Sequence, residues 1–146
     1  MAAIQMDTSA FPFVFVRFPP ENANDDEVRA HIEEQRRLLG RRKKLVMLVD
    51  ASKPLSSSSV QRKLYADWLK ESEALSREYC VGMAVVIGSP IIRGAMQAVL
   101  WLFTPPMPVV VCSSVAEGGR VCGDWMRRAG LPNAEAPERF ATASPR

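Results

Sequence analysis

The chain has 146 residues, of which 47% are hydrophobic and 24% charged, a balance that excludes wholesale disorder and suits one folded domain. The net charge of +3 comes without the wide basic stripe that nucleic-acid binding requires, so we expect no nucleic-acid partner. The apolar runs are too short and interrupted to span a membrane, and the start of the chain lacks the features of a signal peptide.

The N-terminal part of the chain predicts one strand and one helix. Residues 1–10 are polar, and we expect them to be flexible. The aromatic and β-branched stretch over 11–18 predicts a strand, and the proline within it favours the edge of a sheet. A helix over 25–39 follows, because Asn24 and the glutamate three positions later have capping-box spacing. We expect His31, the only histidine, to lie half-exposed on this helix.

The middle of the chain alternates strands with helices. Two apolar runs of strand length, 44–50 and 80–88, predict strands that are covered on both faces. Between them, large apolar residues at helical spacing predict a helix over 59–79. A Ser-Pro pair then predicts the start of a helix over 90–103, and a third buried strand is expected over 107–114.

The predicted order is βαβαβαβα, because a last helix over 115–129 begins at a serine cap and ends before a glycine. A polar tail over 132–146 is expected to be flexible. We therefore predict an α/β fold with a single domain over 11–131. It consists of a four-stranded, mostly parallel sheet with an edge N-terminal strand and with helices on the sheet faces.

One segment resembles a known signature. In LVMLVDASKPLSSSSVQRKL, an apolar strand ends in an aspartate and serines open the next helix, as in STAS domains, the sulfate-transporter and anti-sigma-factor-antagonist superfamily. The ending VVVCSSVAEGGRVCGDW is also similar, and the chain is most similar to the bacterial SpoIIAA-like subgroup. The resemblance implies a non-enzymatic regulatory module whose phosphorylatable position is Ser58, with Ser57 and Ser59 as neighbours.

The serines and the aspartate before them each have two interpretations. Phosphate is favoured at a helix N-terminus, yet Ser58 with Gln61 also has the spacing of a plain capping box. Asp50 ends a predicted parallel strand, where open α/β sheets bind ligands, and Ser52 lies in the loop that follows. The same carboxylate is equally able to cap that loop through its backbone.

The helix over 90–103 is apolar on nearly every side, whereas a surface helix normally has a polar face. Either other parts of the chain cover it, or a second molecule does. We expect a homodimer or the docking of a regulatory protein or kinase. A pocket for a lipid or small molecule between the sheet and this helix is the alternative. The expected interface residues are Ile91, Ile92, Met96, Leu100, Trp101 and Phe103.

The chain has no pattern that predicts catalysis. It has a single histidine, no G-x-S-x-G motif, no CxxC pair and no glycine-rich phosphate loop, so we expect neither an enzyme nor a cofactor or metal. Three widely spaced cysteines, Cys80, Cys112 and Cys122, are consistent with a reducing, cytoplasmic location.

Overall fold

The computed structural model describes residues 4–52 and 58–143 and shows an α/β fold built on one mixed sheet. The strands lie side by side in chain order, the first pair antiparallel and the others parallel. The strands are β1 (Gln5–Asp7), β2 (Phe13–Arg17), β3 (Leu45–Ala51), β4 (Cys80–Ile87) and β5 (Val109–Cys112). The helices are α1 (Asp25–Leu39), α2 (Ser59–Tyr79), α3 (Pro90–Leu102), α4 (Val115–Ala129) and α5 (Ala136–Ala143).

Helices cover both faces of the sheet, so successive side chains of a strand enter different cores. In β2, Val14 and Val16 pack with residues of α1 and α2. Phe13 and Phe15 point the other way and pack with residues of α4 and α5. This explains why β2 and β3 consist largely of apolar residues without a polar face.

The predicted cap of α1 is confirmed in full. The Asn24 side chain accepts a hydrogen bond from the Glu27 N–H at 2.8 Å, and the Glu27 carboxylate accepts one from the Asn24 N–H at 2.9 Å. The two bonds satisfy backbone donors that the first turn leaves unpaired. The predicted apolar face of the helix, with Val28 and Ile32, is buried.

The prediction of four strands with an N-terminal strand at the edge is wrong, because the sheet has five strands. β1 lies within residues 1–10 and pairs with β2, which therefore lies between β1 and β3. A strand of three residues is too short to show an alternating pattern. Pro12 indicated an edge strand because proline lacks an N–H donor. It precedes β2, however, and takes part in the sheet only through its carbonyl group, which accepts a hydrogen bond from the Val46 N–H.

The C-terminal segment beyond 131 also contains an element that the sequence analysis did not predict. α5 packs against α4, and the ring of Phe140 meets those of Phe13 and Phe15 edge to face, with centroids 5.4 and 6.1 Å apart. The folded unit therefore extends beyond the predicted 11–131 on both sides. A helix of eight residues with few large apolar side chains gives little periodic signal.

Glycines allow α4 to approach its neighbours closely. A Cβ atom at Gly118 would lie 2.5 Å from Leu48 Cδ1, and one at Gly119 would lie 2.8 Å from the backbone oxygen of Pro137 in α5. Gly94 in α3 has no atom within 4 Å of the corresponding position. Gly118 and Gly119 are therefore needed for the close packing of α4, whereas Gly94 makes no such close contact.

We expect Gly119→Ala to lower the free energy of unfolding by about 1–3 kcal/mol, because the added methyl group would push α5 away from α4. Gly94→Ala is the matched control, and it should raise the free energy of unfolding by about 0.5–1 kcal/mol because alanine favours the helix. Urea denaturation of both variants measures the difference. Equal effects of the two changes would contradict the close packing of α4 and α5.

Candidate functional site

The carboxyl ends of β2 to β5 form one edge of the sheet, and the helices α1 to α4 begin there. Asp50, at the end of β3, is buried at this edge. One oxygen of its carboxylate accepts a hydrogen bond from the Ser52 N–H at 3.1 Å, and the other lies 3.7 Å from Arg17 Nε. Asp50 therefore organises the start of the loop and pairs with a cation. The Ser52 hydroxyl is buried and has no hydrogen-bond partner within residues 4–52 and 58–143.

The serines at this edge cap helices. The Ser58 hydroxyl accepts a hydrogen bond from the Gln61 N–H at 3.1 Å, so the predicted cap of α2 is present. The reciprocal half of the box is absent, because the Gln61 amide donates to the Ala23 carbonyl and to Asp25 at the start of α1. Ser58 and Ser59 are exposed, while Ser57 lies outside the described residues.

α3 is the largest exposed apolar feature in the part of the chain that the structure describes. None of its thirteen residues is buried. Ile91 is 85% exposed and Trp101 88%, and Phe103, just after the helix, is 68% exposed. Its single charged residue, Arg93, donates hydrogen bonds to the carbonyls of Ile87 and Gly88 at the end of β4. The charge therefore anchors the helix to the sheet.

The predicted interface residues are thus brought together on one helix, and most of them face solvent. Ile92 is also exposed, while Met96 and Leu100 are partly buried. The structure adds Val99 and Leu102, which the sequence analysis did not select. The side chains of α3 and its C-cap that are largely exposed are Ile91, Ile92, Val99, Trp101, Leu102 and Phe103.

An apolar cavity lies on the same face of the sheet, but α3 contributes no residue to its wall. The cavity has a volume of about 180 Å³ and lies between the sheet and the helices α1 and α2. Its position differs from that of the pocket predicted between the sheet and the helix over 90–103. Apart from aliphatic and sulfur-containing side chains, its wall includes Phe18, His31, Gln35, Tyr65, Trp68, Ser72 and Ser76.

The cavity wall contains a chain of hydrogen-bonding side chains. Trp68 Nε1 donates to Gln35 Oε1 at 3.0 Å, and Gln35 Nε2 lies 2.6 Å from His31 Nε2. The expectation that His31 is half-exposed is wrong, because only 3% of it is exposed. The spacing of Val28, His31, Ile32 and Gln35 along one helix face was the signal that could have indicated this burial.

Other site chemistry is limited in the described ranges 4–52 and 58–143. They contain no group of three His, Cys, Asp or Glu side chains arranged to hold a metal ion. The three cysteines are buried and free, and burial raises the pKa of Cys80 and Cys112 to about 11. No described helix is long and apolar enough to cross a membrane. Comparisons with protein-family models, curated proteins and solved structures found no match to the chain.

Burial lowers the pKa of His31 from 6.5 to about 4, so the folded protein holds the imidazole neutral at physiological pH. In the unfolded chain the ring takes up a proton near its ordinary pKa. Between pH 6.5 and 4 the unfolded state therefore binds more protons, and stability falls as the pH falls. We expect this single group to remove about 3 kcal/mol across that window.

The measurement is urea denaturation of the wild type and of His31→Phe at several pH values from 7 to 4.5. Titration of the carboxylates is common to both proteins, so the difference between their free energies of unfolding isolates the histidine. The wild type should lose stability more steeply than the variant. Parallel pH profiles would show that His31 is not held neutral by burial.

Proposed function

We propose that this protein is a non-enzymatic α/β interaction module of the STAS-like kind that forms a homodimer through α3. The observation that carries the proposal is the exposure of a whole apolar helix, with Trp101 and Phe103 at its C-terminal end. Large exposed apolar patches mark interaction sites, and aromatic residues dominate the energy of interfaces. The similarity of the strand-loop-helix segment around Asp50 to STAS domains supports a regulatory role.

The charge distribution of α3 favours a second copy of the same chain as the occupant. Arg93 is the only charged residue of the helix and is bound to carbonyl groups of β4. A two-fold axis at α3 would therefore juxtapose apolar side chains without bringing like charges together. Anionic membranes are a poorer match, because interfacial helices carry lysine and arginine along the polar face.

The size of the exposed face is also sufficient for a dimer. An aromatic side chain buries about 150–250 Å² in an interface, and Trp101 and Phe103 are both available. With the four exposed aliphatic side chains of α3, the face approaches the roughly 800 Å² that each partner contributes to a specific interface. Burying them on association would remove the cost of exposing these side chains to water.

We expect the wild-type protein to have twice the mass of the 16.2 kDa chain in size-exclusion chromatography with light scattering. Trp101→Glu should raise the dimer dissociation constant about thirtyfold or more, because it places a carboxylate in the apolar interface. Ala66→Glu is the matched control, since Ala66 is an exposed apolar residue in the middle of α2. It should leave the dimer intact.

Circular dichroism establishes that both variants remain folded. A wild-type protein that stays monomeric at every concentration would overturn the proposed dimer. A Trp101→Glu protein that dimerises as tightly as the Ala66→Glu protein would place the interface elsewhere.

We further propose that Ser58 is the phosphorylatable position of the module. Its hydroxyl is at the exposed N-cap of α2, and the first turn of that helix contains no acidic residue that would repel a phosphate. The unpaired N–H groups and the helix dipole favour negative charge at this point. Since β3 and β4 are neighbours, α2 and α3 begin at the same edge of the sheet, and charge added at Ser58 would lie at that edge.

Ser58→Asp should raise the dimer dissociation constant several-fold at low salt, because it adds the same negative charge to both protomers at the edge where α3 begins. Ser58→Thr keeps a capping hydroxyl without the charge, so it should leave the constant unchanged. Light scattering of both variants is combined with phosphopeptide mapping of protein from its native cells. An unmodified Ser58 together with equal dissociation constants would refute the switch.

A further inference from the structure

The cavity beneath α1 and α2 is apolar and of a size that suits a small ligand. Its volume of about 180 Å³ is close to that of engineered cavities of about 150 Å³ that stay dry and bind benzene. No Asp, Glu, Lys or Arg belongs to its wall as the structure describes it. Leu69, which is 60% exposed, and the partly exposed Met83 also line it, so the cavity reaches the surface on the β4 side of α2.

Hydrogen bonding determines which nitrogen of His31 carries the proton. Trp68 Nε1–H is only a donor, so it requires the oxygen of the Gln35 amide, and the amide NH₂ therefore faces His31. An NH₂ group only donates, so His31 Nε2 must accept. The neutral ring then has its hydrogen on Nδ1.

The Nδ1–H of His31 is a buried donor with no partner among the described residues. Leaving such a group unpaired in an apolar environment destabilises the folded protein. The Tyr65 hydroxyl, which belongs to the same cavity wall, is also buried and has no hydrogen-bond partner in the described part of the chain. An apolar cavity with a few unpaired polar groups is the usual form of a small-molecule site.

We infer that the cavity binds a small, uncharged, mostly apolar molecule carrying one acceptor oxygen, such as a ketone, which receives the His31 Nδ1–H. The apolar part of the ligand would occupy the space between Met47 and Trp68. The absence of charged side chains from the wall excludes a carboxylate or ammonium group on the ligand, because neither would find a counter-ion there. The site is separate from α3 and does not depend on dimerisation.

A pair of matched probes tests this inference on the full chain. Cyclohexanone carries the acceptor oxygen, and methylcyclohexane has a similar shape without it. We expect the wild type to bind cyclohexanone about fivefold to tenfold more tightly than a variant without the His31 donor does, which is the gain that one hydrogen bond provides. Titration followed by ¹H–¹⁵N NMR measures both affinities and shows directly whether the His31 Nδ1–H resonance shifts.

Two variants distinguish the contribution of the His31 donor to binding from that of the cavity itself. His31→Phe keeps a planar ring and removes the donor, so it should weaken the binding of cyclohexanone about fivefold to tenfold and leave the binding of methylcyclohexane unchanged. Ser72→Leu, at a buried position of the wall, should fill the cavity and abolish binding of both probes. Should either variant fail to fold, the NMR response of the wild-type His31 ring still decides the question.

Three results would overturn the inference. The first is equal affinity of the wild type and of His31→Phe for cyclohexanone, which would remove the role of His31. The second is an imidazole spectrum with the proton on Nε2. The third is a cavity that binds neither probe and shows a persistent nuclear Overhauser contact between His31 and water, because an ordered water would then satisfy the ring.

Discussion

The right-handed connection between parallel strands is the constraint on which the rest of this structure depends. β2 to β5 are parallel and lie in chain order, so every crossover places its helix on the same face of the sheet. α1, α2 and α3 therefore share one face, and α4 and α5 cover the other. As the last crossover helix, α3 lies above the β5 edge, with no further helix of the described chain beyond it. Its apolar surface is exposed because of the topology as well as because of its composition.

The two faces of the sheet are packed in different ways. On one face, Gly118 allows α4 to pack closely on β3 and β4, because a Cβ atom there would lie 2.5 Å from Leu48 Cδ1. On the other, Leu39 of α1 and Tyr65 and Trp68 of α2 line the apolar cavity. The hydrogen-bonded chain from Trp68 to His31 runs along its wall. Close packing therefore stabilises one layer, while the opposite layer keeps room for a ligand.

Asp50 and Ser58, at the carboxyl edge of the sheet, both have structural partners, and these partners limit what a regulatory modification there would change. Asp50 holds the Ser52 N–H and lies near Arg17, and Ser58 caps α2. A phosphate on Ser58 would therefore replace the hydroxyl cap of α2 with a more highly charged cap, so the helix would still begin at the same residue. The added charge would act electrostatically on the groups beside that edge, where α3 also begins.

The sequence by itself determined the elements whose signals are local. The capping box at Asn24, the serine caps and the apolar and β-branched runs predicted α1 to α4 and β2 to β5, because caps and periodicity depend on residues a few positions apart. It also indicated that α3 has no polar face. Only the tertiary structure decided that β1 pairs with β2, that α5 packs on α4, that His31 is buried and that the cavity lies under α1 and α2. These features depend on contacts between residues distant in the chain, such as Phe13 with Phe140, and no local pattern encodes such contacts.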